Sequence, residues 1–256
     1  KGTRVMKTLT PAERLIVAAD FKPASDTADW SKRGRIKVRT EILQFVWSLK
    51  GTGVYLKVNS ALRAFGYDLI DEIHSCGLKV FADLKLFDIG ETLATDGALL
   101  RESKPEIVTT VCTAGIAALR ALKAELPDTE VLGVTVLTSL TDADTQVMFS
   151  CTTKEAVLRF AQVAADAGID GLISSPKEAK MLRAKFGTLL SLNTPAIRPL
   201  WTVVAGDDQN LKRAMTPAEA IKAGADRIIV GRPITQSQNP YDAVMRTIDE
   251  IASAVA

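Results

Sequence analysis

Asp83 and Lys85 stand two residues apart at the end of a short apolar run, and Asp88 follows three residues later. Asp20 closes an earlier apolar run, and Lys57 lies near the end of another. Residues two apart on an extended segment project to one face, so Asp83 and Lys85 are expected side by side. Carboxylate and ammonium groups gathered in this way suit electrostatic and proton-transfer work. Burying them unpaired is costly, so such a cluster is either a structural ion-pair network or a functional site. Imidazole and thiolate contribute little. The single histidine, His74, has no neighbouring ligand and reads as structural, and Cys76, Cys112 and Cys151 form no CxxC knuckle. No metal site is expected.

The elements that must position these residues alternate. Strands are expected at Arg14–Asp20, Gly53–Val58, Lys79–Asp83, Ile107–Val111, Val131–Leu137, Gly171–Ser174, Leu189–Asn193 and Arg227–Val230. Most are continuous apolar runs, the mark of parallel strands buried on both faces. Helical spacing appears at Tyr67–Cys76, Ala114–Glu125, Thr153–Ala167, Ser175–Phe186, Thr216–Ala223 and from Pro240 to Ala252. Thr216-Pro217-Ala218-Glu219 combines an N-cap, a proline at the first helical position and a glutamate at the third. Eight strand–helix repeats in one chain predict an α/β fold, a (β/α)8 TIM barrel, over an open doubly wound sheet. The turn after the first strand, Asp20-Phe21-Lys22-Pro23-Ala24, lacks the glycines such a sheet would show. In a barrel the C-terminal strand ends meet at one mouth, which would gather Lys57, Asp83, Lys85 and Asp88.

Composition narrows the classes. The 256 residues are 47% hydrophobic and 24% charged, with 32 basic and 30 acidic side chains and a net charge of +2. That balance argues against a nucleic-acid binder. No apolar run reaches the roughly 18 residues of a membrane span, and the first residues carry no signal-peptide pattern. Dispersed cysteines suit a reducing compartment, so a cytoplasmic protein is expected. With no linker or composition shift, residues 1–256 read as one domain. The polar stretch Lys22–Lys37 reads as a long first βα loop, and the basic run from Lys32 to Arg39 as a solvated loop and helix start.

The segment Phe81-Ala82-Asp83-Leu84-Lys85-Leu86-Phe87-Asp88-Ile89-Gly90-Glu91-Thr92 resembles the DxKxxDI(P)xT signature of the orotidine 5′-monophosphate decarboxylase family. Leu15–Asp20, Leu56-Lys57-Val58, Thr135–Leu140, Thr194-Pro195-Ala196-Ile197-Arg198-Pro199, Met215-Thr216-Pro217 and Ile229-Val230-Gly231-Arg232-Pro233-Ile234 resemble further family segments in order. The resemblance implies decarboxylation of orotidine 5′-monophosphate to UMP and CO2 through a C6 carbanion, without cofactor or metal. It implies that Lys85 donates the proton and that Asp83 lies by the departing carboxylate and orients Lys85. Lys57 would bridge Asp83 and the ribose, and Asp20 would accept from ribose hydroxyls. Asp88 and Thr92 would reach into the partner's site of a homodimer with shared active sites. Thr92 reads equally as a helix cap.

By the same resemblance Thr138 and Ser139 hydrogen-bond the pyrimidine, and Pro195 lines the base pocket. Gly231 and Arg232 grip the phosphate, where glycine admits the backbone and arginine offers a two-pronged donor. The polar loop from Arg198 to Arg213 resembles a phosphate-gripping lid, with Gln209 as its contact and Trp201 sealing the site. Family positions usually held by glycine, proline, glycine and histidine are here Asn59, Gly90, Ala196 and Cys112. Ala196 would carry strain if its φ is positive. The alternatives are a sister sugar-phosphate decarboxylase or synthase using Mg2+, and a barrel that only binds a phosphorylated ligand. Ile89, Thr92 and Ile197-Arg198 favour the pyrimidine enzyme over the first, and retention of Asp83 and Lys85 disfavours the second.

Overall fold

The computed structural model describes residues 8–21, 32–202 and 215–255. Eight parallel strands form a closed barrel in chain order, β1 pairing with both β2 and β8. They are Leu15–Ala18 (β1), Tyr55–Val58 (β2), Lys79–Leu86 (β3), Ile107–Val111 (β4), Glu130–Val134 (β5), Gly171–Ile173 (β6), Ser191–Thr194 (β7) and Arg227–Val230 (β8).

The strand pleat sorts side chains into two sets. Ile16, Ala18, Tyr55, Phe81, Ile107, Leu132 and Ile229 form one buried cluster, which fills the barrel. Their neighbours Leu15, Val17, Leu56, Val58, Val80, Ala82, Val108 and Val131 belong to the larger cluster shared with the helices. Both faces of most strands are therefore apolar, which accounts for the unbroken hydrophobic runs; β7 departs, with Ser191, Asn193 and Thr194 buried and polar. The same parity places Lys57 above Tyr55, Asp83 above Phe81 and Thr109 above Ile107.

Two differences from the sequence expectations have packing causes. Helix Lys32–Ser48 opens in the basic run read as loop and helix start but takes in Lys32–Lys37, expected to be loop, because Val38, Ile42, Phe45 and Val46 form a buried stripe at helical spacing. The basic residues dominate its first turns and hid that stripe. Helix Gly90–Ser103 has only a faint apolar pattern in the sequence because only Leu93, Gly97 and Leu100 face inward. Gly97 allows close approach to helix Ile116–Glu125, where a Cβ would lie 2.8 Å from the Cβ of Glu125. Strand β5 stops at Val134 rather than Leu137, and β3 runs past Asp83 to Leu86. The capping box at Thr216 and Glu219 is present as expected and opens helix Pro217–Lys222. No described helix is long and apolar enough to cross a membrane.

Ion pairs fasten the N-terminal ends of the strands. They are Lys79–Glu13 at 2.7 Å, Lys123–Asp170 at 2.8 Å and the buried Arg227–Glu130 pair at 2.9 Å. His74 lies outside the barrel and pairs with Glu106 at 3.1 Å. The Glu106 carboxylate also accepts the Val80 N–H, so His74 does structural work there. All three cysteines are buried and free, and burial pushes the Cys112 thiol up to about 12.

Candidate active site

A cavity of about 490 Å³ opens at the C-terminal ends of the strands. Phe81 and Ile229 of the barrel filling line it, and Val134, Val136 and Ile173 give it an apolar wall. Asp20, Lys57, Asp83 and Lys85 bring charge from β1, β2 and β3. Pro195, Ala196 and Arg198 enter from beyond β7, Gly231 and Arg232 from beyond β8, and Thr138 from beyond β5.

The charged groups form one chain of contacts. Lys57 Nζ donates to Asp20 Oδ1 at 2.8 Å and to Asp83 Oδ2 at 3.2 Å. Lys85 Nζ donates to both Asp83 oxygens at 2.7 Å. Thr109 Oγ1 donates to Asp83 Oδ1 at 2.9 Å. Lys57 and Asp83 are buried, whereas the Lys85 and Asp20 side chains are 37% and 49% exposed and meet the cavity. Burial alone would raise the Asp83 carboxyl. The ammonium groups of Lys57 and Lys85, with hydrogen bonds from Lys85 and Thr109, outweigh it and hold Asp83 below the usual carboxylate range. Each opposite-charge contact is a gross attraction of about 5 kcal/mol at an effective dielectric near 20, offset by desolvation. These contacts thus favour an anionic Asp83 held against Lys85 at the rim.

The sequence expectation needs two corrections. Within one chain the linked set is Asp20–Lys57–Asp83–Lys85; Asp88 is not in it. Asp88 is exposed, does not line the cavity, and accepts the Ile89 N–H at 2.7 Å. Lys57 accordingly bridges Asp83 to Asp20 itself. Second, Lys85 does not reach Asp83 by simple pleat alternation. Its φ is +49°, and the β3–β4 register shifts between Ala82 and Leu86. A non-glycine residue held in the left-handed region is strained, and such strain gathers at functional sites.

The remaining candidates divide. Thr92, third residue of helix Gly90–Ser103, is exposed and outside the cavity; the N-cap is Ile89, so Thr92 is not the cap. Ser139 is exposed beyond Thr138 and does not line the cavity. Gln209 and most of the expected lid fall outside the described residues. Trp201 does not line the cavity. It packs on the core beneath Arg246, whose guanidinium lies 4.8 Å from the ring. A Cβ at Gly231 would meet the protein only at 3.7 Å, so packing does not demand glycine there. The Arg232 side chain is exposed at the rim. Residues that the sequence reading missed are Thr109 and the cavity-lining Thr235. Thr109 was legible by parity, two positions after inward-facing Ile107.

The departures from the family pattern have local accounts. Asn59 caps helix Ser60–Phe65 through the Ser60 N–H, and Gly90 occupies a first helical position, where proline also fits. Cys112 is wholly buried. Ala196 has φ +63°, the strain expected of it. Ala196→Gly should therefore raise stability by about 0.5–1 kcal/mol, relief of the left-handed strain exceeding the added unfolded-state entropy. Urea unfolding would measure it, and a destabilised variant would show that alanine is not strained there.

Fold and site together define a (β/α)8-barrel enzyme whose working groups are lysine and aspartate. The family model described as "Orotidine 5'-phosphate decarboxylase / HUMPS family" matches residues 13–247, and the chain belongs to that family. It is 34% identical to the orotidine 5′-phosphate decarboxylase of Syntrophus aciditrophicus, over 99% of each chain. It is 37% identical to that of Afipia carboxidovorans, covering 95% of this chain and 97% of the relative. Among solved structures it is similar to the orotidine 5′-phosphate decarboxylase from Lactobacillus acidophilus. That match has a TM-score of 0.75 at 26% identity and covers 93% of this chain and 99% of the other.

Proposed function

We propose that this single-domain protein decarboxylates orotidine 5′-monophosphate to UMP and CO2 in pyrimidine biosynthesis. The observation that carries the reading is the Lys85–Asp83 contact, an ammonium held on both oxygens of a buried carboxylate at the cavity rim. The bond from pyrimidine C6 to the carboxylate breaks, its electron pair stays on C6, and CO2 leaves. Lys85 stabilises the developing charge and then gives C6 its proton, becoming a neutral amine that water reprotonates. Asp83 lies by the departing carboxylate, disfavours the bound ground state and orients Lys85. Such preorganised charge is often the largest catalytic contribution. Lys85 supplies positive charge where the anion forms, so we take the reaction as independent of metal or cofactor.

We assign Asp20 and Lys57 to the ribose, Thr138, Ser139 and Pro195 to the base, and Gly231 and Arg232 to the phosphate. Arg198 and Gln209 belong to the phosphate-side loop. The phosphate assignment rests on arginine at the rim beside a glycine that packing does not require. Arg232→Ala should raise KM about 10–100-fold, the worth of a charge-assisted contact, with a smaller change in kcat. Steady-state kinetics checks this, and an unchanged KM would place the phosphate elsewhere. We infer a homodimer with shared sites. Asp88 and Thr92 lie outside their own chain's cavity, and Phe87 and Ile89 beside Asp88 are 62% and 68% exposed. Three buried free thiols favour the reducing cytoplasm.

The test is loss of orotidine 5′-monophosphate absorbance with the purified protein in EDTA. Turnover supports the reading. No turnover at high enzyme concentration overturns it, and Mg2+-dependent turnover of a sugar phosphate would establish the sister activity instead.

A further inference from the structure

We propose that Thr109 is a positioning residue for the decarboxylation, one hydroxyl that fixes both the Asp83 carboxylate and the backbone of Lys85. This deepens the proposed function and rests on it. Thr109 is fully buried on β4. Its Oγ1 donates to Asp83 Oδ1 at 2.9 Å and accepts the Lys85 N–H at 2.9 Å. Beside it, Thr110 Oγ1 donates to the Leu86 carbonyl at 2.8 Å. These bonds fall where the β3–β4 ladder loses register and Lys85 turns left-handed.

The logic is a substitution of side chain for backbone. In a regular ladder, β4 main-chain groups would take up the polar groups of β3. The irregularity breaks that pairing, and the two threonines occupy the gap. Thr109 uses its donor on the carboxylate and its lone pair on the amide. One hydroxyl thus couples the Asp83 rotamer to the turn that carries Lys85 over it. Asp83 is also faced by Lys57 from β2 and Lys85 from β3, with Asp20 beyond Lys57. Charge compensation therefore survives loss of the hydroxyl, whereas orientation does not.

The experiment compares Thr109→Val, isosteric without the hydroxyl, with Thr109→Ser, which keeps it. With orotidine 5′-monophosphate, Thr109→Val should lower kcat about 10–100-fold, the range for a lost hydrogen bond to a charged group. KM should change less than about threefold, because substrate contacts remain, and Thr109→Ser should restore most of kcat. The acidic limb of the kcat/KM profile should move to higher pH in Thr109→Val, since Asp83 has lost a donor. Should Thr109→Val fail to fold, Thr109→Cys fills similar volume with a weaker donor and should give an intermediate kcat. An active wild type with unchanged kcat in Thr109→Val, or a serine variant as impaired as the valine, overturns the inference. Inactive wild type would instead overturn the proposed function.

Discussion

Lys85→Ala should lose at least about 10^4-fold in kcat on orotidine 5′-monophosphate while folding normally. Two contributions vanish together: the positive charge that meets the C6 carbanion and the proton that quenches it. General acid catalysis and electrostatic stabilisation are each worth about 10^2-fold or more, and here both reside on one Nζ. The fold should survive because the side chain is 37% exposed and its removal leaves Asp83 bound to Lys57 and Thr109. Circular dichroism and a melting curve establish folding, and stopped assays at high enzyme concentration set the residual rate. Retained nucleotide-monophosphate binding would separate a chemical defect from a binding defect. A folded Lys85→Ala enzyme with more than about a tenth of wild-type kcat would remove Lys85 as proton donor.

The strand parity makes much of this site legible in the sequence. Lys57, Asp83 and Thr109 each sit two positions beyond an inward-facing large residue, Tyr55, Phe81 and Ile107. Once the runs are recognised as barrel strands, alternation alone points these polar groups at the mouth. What alternation does not reveal is where the ladder fails. The left-handed turn at Lys85 involves no glycine and no turn signal, because hydroxyl groups of the neighbouring strand support it. Local sequence carries no trace of support that comes from residues 24 positions away. Helix Lys32–Ser48 was obscured in another way, its apolar stripe beginning only after a basic first turn. Ala196 is the converse case. Its place at a glycine position of the family makes strain conditional on a positive φ, and the backbone adopts that φ despite the Cβ.

The placement of Asp88 bears on how the site is completed. The chain of contacts from Asp20 to Lys85 is electrically neutral by itself, two carboxylates against two ammonium groups. Asp88 adds nothing to it within one chain, since its carboxylate turns back onto the Ile89 N–H. Yet it stands on an exposed segment between Phe87 and Ile89, two large apolar side chains open to solvent. Large exposed apolar side chains beside a charged one suit a surface that meets another subunit. In a two-fold dimer any residue one subunit lends is lent back, so each site would hold Lys85 from one chain and Asp88 of the partner subunit.

That arrangement makes a sharp mixing prediction. Lys85→Ala and Asp88→Ala homodimers should each be nearly inactive, for every site in them lacks one essential group. Mixed dimers should differ. The Asp88→Ala chain supplies Lys85, the Lys85→Ala chain supplies Asp88, and one of the two sites is whole while the other carries both lesions. With random assortment half the dimers are mixed, so total activity should recover to about a quarter of wild type. Differently tagged chains, co-expressed and purified through both tags, should reach about half. Titrating one variant into the other measures the recovery, with the separate homodimers as baseline. Full activity in the Asp88→Ala homodimer would remove Asp88 from the site. Inactive Asp88→Ala with no recovery on mixing would instead confine each site to its own chain, making Asp88 important through the segment it anchors at Ile89.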